Sequence, residues 1–382
     1  MSRPYNTAMA PLRPLAISLL LGAQLTGCAP LRPAVWTVEA RQTHVTASGG
    51  RILVNGQPFF PFGFYHVSWA DQGTPQTRLN DLDILADAGF NVMLTEPVRE
   101  AETEMPPLLA EAHRRGVMVL AHGVQPRFVR EIAAQPALLG FTLMDDSNYN
   151  STPPAVADLQ ATYKALAPDK LTGITLALAN DRPESGFFGV SDSVSNMSYP
   201  IGGTDEIAVV YGVMRQTVVQ AARRGVVPLA TLQSFAWPGQ RRPTPAELRN
   251  MTYQAVLAGV KGVVYYAYRS GGNRITDDGP LWQETQSLAA EIRRLSPTLL
   301  SAARRELTPD TAGQPVRAAQ FSGPGGSYLL VVNTTPRPQP LRLDLPRVRD
   351  LRPLFGTAAP EFRQGRLGGT LGALDVDIYE VR

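Results

Sequence analysis

Asp145 and Asp146 close one apolar run, Leu139 to Met144, and Glu96 closes another, Asn91 to Thr95. Carboxyl groups at the ends of buried strands can serve as an acid and base pair, one giving a proton while the other takes one. Adjacent carboxyls also act on each other, because the charge of one raises the proton affinity of its neighbour. On an extended strand successive residues face opposite ways, so only one of Asp145 and Asp146 reaches a common site unless the chain turns there. The plainer reading is that Asp145-Asp146-Ser147-Asn148 turns the chain and caps the next helix. Asp181, Asp277 and Asp278 are further acids after apparent strands, where capping is the commoner use. Rings and polar tips gather at the same strand ends: Tyr65, His66 and Trp69, then His122, Tyr199, Gln233, Phe235, Trp237 and Tyr268. None of the four histidines (His44, His66, His113, His122) forms a His-x-His pair, so no metal is expected, and no cofactor either.

These residues need a frame that brings many strand ends together. Apolar runs read as strands at 59–67, 91–95, 117–122, 139–144, 172–178, 193–198, 227–233 and 262–268. Amphipathic segments at 78–88, 106–115, 152–166, 205–224, 244–258 and 280–296 read as the helices between them. Thr244, Pro245 and Glu247 form a helix start with a capping box. Ahead of the first strand, Asn55-Gly56 reads as a hairpin turn. Eight strands alternating with helices specify an α/β chain, either a closed (β/α)8 barrel or an open doubly wound sheet. The barrel is favoured by its span, by the strand count, and by the lack of a glycine-rich phosphate loop after the first strand. Past Ser301 short strands at 316–321, 327–333, 341–345 and 373–381 are separated by glycine and proline. They read as a small antiparallel β-sandwich. The expected plan is therefore a barrel over 46–302 and a sandwich over 303–382.

Three stretches carry a family likeness. Gly50 to Phe64 (GRILVNGQPFFPFGF) resembles the entry to the barrel of many glycoside hydrolases. Leu138 to Asp146 (LLGFTLMDD) is similar to their fourth-strand segment, and Leu232 to Tyr266 resembles the seventh and eighth strands of β-galactosidase-type barrels. The likeness implies a TIM barrel with a C-terminal β-domain and an active site at the C-terminal ends of the strands. It also implies chemistry by two carboxyls, one protonating the leaving oxygen, the other attacking the sugar or activating water.

On that likeness Asp146 stands where relatives carry the general acid, with Asp145 beside it to orient it and raise its pKa. Double-displacement relatives carry a glutamate at the end of strand seven, where this chain has Gln233. An amide cannot be a carboxylate nucleophile. Asn196 to Pro200 likewise lacks the aspartate that relatives often carry before Tyr-Pro. Glu96 is left as the second carboxyl of an inverting pair. Tyr65, Trp69, Tyr199, Trp237 and Tyr268 suit sugar binding, because aromatic faces bury the C–H faces of sugar rings. His66, His122 and Gln233 could bond hydroxyl groups. The expected partner is a polysaccharide or oligosaccharide. Two other readings stay open: a catalytically degenerate glycan-binding protein, and a scaffold for envelope polysaccharide export.

The N-terminus supplies an address. Arg3 and Arg13 precede an uncharged apolar run, Leu15 to Leu25, that is short for a membrane span. Leu25-Thr26-Gly27-Cys28 follows and resembles the lipobox of bacterial lipoproteins. The expectation is a signal peptide over 1–27, lipid on Cys28, and a tether over 28–45 that holds the protein on a membrane of the cell envelope. An ordinary cleaved signal, or a core helix with an incidental cysteine, is the alternative. Cys28 is the one cysteine, so no disulfide forms within the chain. The composition, 44% hydrophobic and 18% charged, is that of a globular protein. A net charge of +3 with scattered basic residues argues against nucleic acid as a partner.

Overall fold

The computed structural model describes residues 43–67, 74–97, 101–177, 185–270, 272–301, 303–310, 315–357 and 360–382. The signal segment, Cys28, Trp69 and Asp181 lie outside the described residues.

The chain enters through a three-stranded antiparallel sheet, β1 (Val45–Ser48), β2 (Arg51–Val54) and β3 (Gln57–Phe59). Asn55 and Gly56 make its second turn, with φ of 50° and 78°. Eight parallel strands follow: β4 (Phe62–His66), β5 (Val92–Thr95), β6 (Met118–His122), β7 (Leu138–Met144), β8 (Leu171–Leu176), β9 (Ser193–Ser198), β10 (Val227–Gln233) and β11 (Val263–Ser270). Each pairs with the next, and β11 pairs with both β10 and β4, so the sheet closes into a barrel. The helices are α1 (Pro75–Asp87), α2 (Ala101–Arg115), α3 (Val129–Ala133), α4 (Ser147–Asn150), α5 (Pro153–Leu166), α6 (Val209–Arg224), α7 (Pro245–Ala258) and α8 (Gly279–Leu299). Thr244 caps α7 with the reciprocal Glu247 bond that its sequence specifies.

Two apolar layers divide the strand residues by their period of two, with one change of phase in β7 where its pairing with β6 is irregular. Tyr65, Val92, Leu94, Met118, Leu120, Leu139, Leu171, Val227, Leu229 and Val264 fill the inside of the barrel. Phe62, Phe64, Met93, Val119, Phe141, Ala230, Leu232 and Tyr265 face the helices. The entry sheet shuts the N-terminal end, since Val45 and Ile52 belong to the inner cluster. Val45 N–H donates to the Asp169 carbonyl at 2.8 Å, and Lys170 Nζ reaches the carbonyls of Thr43 and Leu138 at 2.8 and 3.2 Å. That leaves the C-terminal ends of the strands as the open face.

A two-residue strand, β12 (Asn273–Arg274), folds back on β11. The C-terminal part holds β13 (Ala303–Leu307), β14 (Val316–Gly323), β15 (Gly326–Asn333), β16 (Gln339–Asp344), β17 (Leu351–Phe355), β18 (Glu361–Arg363), β19 (Arg366–Leu371) and β20 (Val376–Val381). They form a five-stranded sheet, ordered β13-β14-β15-β20-β17, and a three-stranded sheet, β16-β19-β18, both antiparallel. Leu329, Val331 and Tyr379 of the first share a core with Leu341, Leu343 and Leu367 of the second. The larger sheet turns Phe321, Leu330 and Ile378 the other way, into the outer core of the barrel. Asn250 of α7 locks that contact by donating to the carbonyls of Asn333 and Leu374, both at 2.8 Å.

Close approach of neighbouring strands fixes small residues in the barrel wall. A Cβ on Gly140 of β7 would lie 2.1 Å from the Leu171 carbonyl oxygen of β8. Gly140→Ala is therefore expected to cost roughly 1–3 kcal/mol, as overpacking in a core commonly does. Urea denaturation checks it, and a midpoint equal to that of the parent would refute the close approach.

Candidate active site

Asp145 and Asp146 leave β7 where the chain turns. Asp146 takes a left-handed conformation, φ 46° and ψ 46°, which aspartate tolerates better than most residues. That turn frees both side chains from the alternation of the strand. The Asp146 N–H donates to Thr175 Oγ1 at 2.9 Å, and the Thr175 hydroxyl donates in turn to Asp145 Oδ1. Asp146 precedes α4 but makes no side-chain cap bond to it. Its Oδ1 is buried and has no hydrogen-bond partner. Burial first, and the charge of Asp145 second, push the Asp146 carboxyl up to about 6. The capping use open to this pair in the sequence is thus not the one Asp146 takes.

Glu96 follows the inward row Val92, Leu94 of β5, and His122 follows Met118, Leu120 of β6. One ring nitrogen of His122, Nδ1, lies 3.5 Å from Glu96 Oε2 and 3.3 Å from the Tyr65 hydroxyl. Burial pulls the His122 pKa down, but the Glu96 bond and the charges of Asp145 and Glu96 outweigh it, and the net shift is upward. Glu96 Oε1 is buried without a partner, like Asp146 Oδ1. The backbone of Glu96 is held from behind. Arg78 of α1 donates to the Glu96 carbonyl and, through its other nitrogen, to Glu104 Oε2 at 3.0 Å.

Aromatic rings run around one side of this cluster. Trp237 meets Phe235 edge-on at 4.7 Å, Phe235 meets Tyr199 and Tyr266 at 5.3 Å each, and Tyr266 meets Tyr65 at 5.4 Å. Asp145 and Asp146 raise the pKa values of Tyr65, Tyr199 and Tyr266, after burial as the larger cause, which places all three phenols within electrostatic reach of the pair. The Tyr199 hydroxyl is a third buried polar atom without a partner. Trp237, 43% exposed, and Tyr149, 45% exposed, are the large apolar side chains open to solvent among the described residues.

Three residues expected to touch sugar are engaged elsewhere. His66 follows Phe62 and Phe64 on the outer row of β4, so it points at α1 and bonds Asp81 Oδ2 at 2.9 Å. Tyr268 is fully buried beside it, stacked on the His66 ring at 5.8 Å and donating to Asp81 Oδ1 at 3.2 Å. Strict alternation would have carried Tyr268 inward with Val264 and Tyr266, but a bulge between Tyr266 and Arg269 turns it out. Gln233, 0% exposed, brackets the Ile201 backbone: its Oε1 accepts from Ile201 N–H, and its Nε2 donates to the carbonyls of Ile201 (2.8 Å) and Phe235 (3.2 Å). Asp278 caps α8, accepting from Leu281 N–H at 3.1 Å. Tyr266, Thr175 and Arg78 were not singled out from the sequence. Tyr266 and Thr175 sit on inward rows that period-two counting marks, whereas nothing in the sequence pairs Arg78 with Glu96.

Searches of the sequence against family models and against curated proteins give no match. Solved structures do match in three dimensions. A glycoside hydrolase family 5 protein from Bacteroides vulgatus ATCC 8482 aligns with TM-score 0.61 at 14% identity, over 88% of this chain and 93% of that one. Amy13B of Eubacterium rectale aligns with TM-score 0.62 at 10% identity, over 90% and 97%. The α-amylase of Geobacillus thermoleovorans, solved with acarbose, aligns with TM-score 0.59 at 11% identity, over 85% and 98%. The fold is that of the TIM-barrel glycoside hydrolases. In such barrels the working site is the C-terminal face, which is where Glu96, His122, Asp145, Asp146 and the ring of tyrosines converge.

The raised Asp146 pKa has a stability consequence with a definite sign. Below the ordinary carboxyl value of 3.8 the folded and unfolded chains both hold the proton. Between 3.8 and about 6 only the folded chain holds it, so stability falls as pH rises, and above about 6 the loss is complete. Asp146→Asn is expected to gain on the parent by on the order of 3 kcal/mol at neutral pH and by almost nothing near pH 3. Urea titrations at the two pH values check it. A gain independent of pH would show that Asp146 ionises like a solvated carboxyl.

Proposed function

We propose that this protein is an envelope lipoprotein that hydrolyses glycosidic bonds in one inverting step, with Asp146 as general acid and Glu96 as general base. The observation that carries the reading is the setting of Asp146: a carboxyl at the turn after β7, its Oδ1 buried without a partner beside Asp145, where burial and that neighbouring charge push its pKa up to about 6. In the proposed step Asp146 gives its proton to the glycosidic oxygen as the bond from that oxygen to the anomeric carbon breaks. A water oxygen bonds the anomeric carbon from the other face, and its proton passes to Glu96. The free Oε1 of Glu96 is the acceptor, while Oε2 is held by His122. Exchange with solvent then returns a proton to Asp146 and removes one from Glu96. Double displacement is disfavoured because Gln233 is an amide already committed to Ile201. Tyr65, Tyr199, Tyr266 and Trp237 form the platform for an oligosaccharide, an assignment supported by their edge-linked arrangement beside the carboxyls. Lipid on Cys28, supported by the lipobox-like run before it, would hold that mouth among glycans of the cell envelope.

Release of reducing ends from a panel of neutral and charged oligosaccharides tests the catalytic reading. Activity is expected to fall as pH rises through about 6, since the acid form of Asp146 is then lost. Asp146→Asn and Glu96→Gln should each lose roughly 10²–10⁴-fold in kcat. Retention of glycan on a column by a wild type that cleaves nothing would instead establish a binding protein.

The anchor has its own test. Labelled palmitate should enter the parent protein but not Cys28→Ser, and the variant should leave the membrane fraction. Equal labelling of the two would overturn the assignment.

A further inference from the structure

Resting on that catalytic reading, we infer that Thr175 is a positioning residue that decides which of the two adjacent carboxyls carries the proton, holding Asp145 as the anion and leaving Asp146 as the acid. A threonine hydroxyl has one hydrogen to give. Thr175 Oγ1 receives the Asp146 N–H at 2.9 Å, so its own hydrogen is directed to the other close neighbour, Asp145 Oδ1. A donor aimed at a carboxylate favours its charged form. Asp146 has no such donor at Oδ1, nor a cap bond to α4. One side chain therefore breaks the symmetry of two chemically identical neighbours.

The same side chain fixes geometry. Thr175 continues the inward row Leu171, Gly173 of β8 and is buried. By binding the Asp146 N–H it holds the left-handed turn that brings both carboxyls off the strand. The turn is closed from the other side by α4, where the N–H groups of Tyr149 and Asn150 donate to the Asp146 carbonyl and Asn150 Nδ2 donates to the Asp145 carbonyl. The titratable groups that face the pair are Glu96 of the β5 end, His122 of β6, Tyr65 of β4, Tyr199 after β9 and Tyr266 of β11. Burial raises the pKa values of the three tyrosines, so they stay neutral through the range in which carboxyls titrate.

Carbon-13 NMR of the two aspartate carboxyls, followed against pH in the full-length protein, reads the allocation without relying on turnover. In the wild type the two carbons should titrate in separate steps, Asp145 well below Asp146. In Thr175→Val, which keeps the shape and deletes the hydroxyl, the Asp145 midpoint should rise by about one pH unit, and each carbon should respond to both steps. Thr175→Ala should give the same result without a new methyl group in the wall. Thr175→Ser should restore the wild-type split. An Asp145 midpoint that stays put in both the valine and alanine variants overturns the inference, as does a serine variant that behaves like valine. The activity arm is separate. A wild type that cleaves no glycan overturns the catalytic reading, while these titrations still decide whether Thr175 allocates the proton.

Discussion

Closure of the parallel sheet is the constraint on which the site depends. Once β11 pairs with both β4 and β10, every strand must give alternate residues to an interior too narrow for anything but packed side chains. Below the mouth those residues are Leu, Val, Met and small polar groups such as the hydrogen-bonded Ser195 and Thr231. At the last inward position of several strands the same rows continue as Glu96, His122 and Tyr266, so the packing rule also sets the spacing of the chemistry. The entry sheet matters for the same reason. By stopping the N-terminal end with Val45 and Ile52 it leaves one face through which a ligand can come.

Behind the mouth lies a second polar layer, centred on the buried Asp81. Asp81 of α1 is 1% exposed and takes bonds from His66, Tyr268, Arg269 and Arg274, while Arg78 one turn earlier grips Glu104 and the Glu96 carbonyl. Burying a carboxylate is costly unless it is paired and bonded, and removing a partner from such a pair typically costs about 3–5 kcal/mol. Here the balance goes with the pairs: despite burial the Asp81 carboxyl is held below its ordinary value by His66 and Arg269. The effect is directional as well as energetic. Helix α1 is bolted to the ends of β4, β5 and β11 together, which fixes the strand ends that carry Tyr65, Glu96 and Tyr266. Buried polar networks specify geometry in this way when each member is satisfied.

Much of this was legible because period two is strong in parallel strands. The eight barrel strands fall within a few residues of their apolar runs, and Glu96, His122 and Tyr199 reach the mouth as strand ends should. The same counting, applied strictly, separates Tyr65 from His66, since neighbours on one strand cannot both point inward. It fails at Tyr268, where a bulge of the β11–β4 pairing resets the phase, and no residue type announces that bulge. In the C-terminal sheets β13, β17, β18 and β19 escaped: β13 and β18 are charged and largely exposed, ARREL and EFR, while a proline interrupts β17 (LRPLF) and two glycines interrupt β19 (RLGGTL), so none carries a clean apolar alternation. Contacts such as Arg78 to the Glu96 carbonyl or Gln233 to Ile201 join a side chain to a distant backbone, and backbone partners leave no trace in residue types.

Gln233 illustrates how the backbone around a position decides which side chain it can hold. By alternation it stands on the inward side of β10, after Val227, Leu229 and Thr231, where a glutamate would present a charge to the mouth. A carboxylate there could accept the Ile201 N–H but could not donate to the Ile201 and Phe235 carbonyls, which would then be left buried and short of a donor. The amide, with an acceptor and two donors, satisfies all three. Its burial is therefore not an accident of one rotamer but the consequence of what the loop after β9 requires. That loop carries Tyr199, whose ring links Trp237 and Phe235 to Tyr266. Through the loop after β9, Gln233 thus supports the aromatic wall that stands beside Glu96, Asp145 and Asp146 at the mouth.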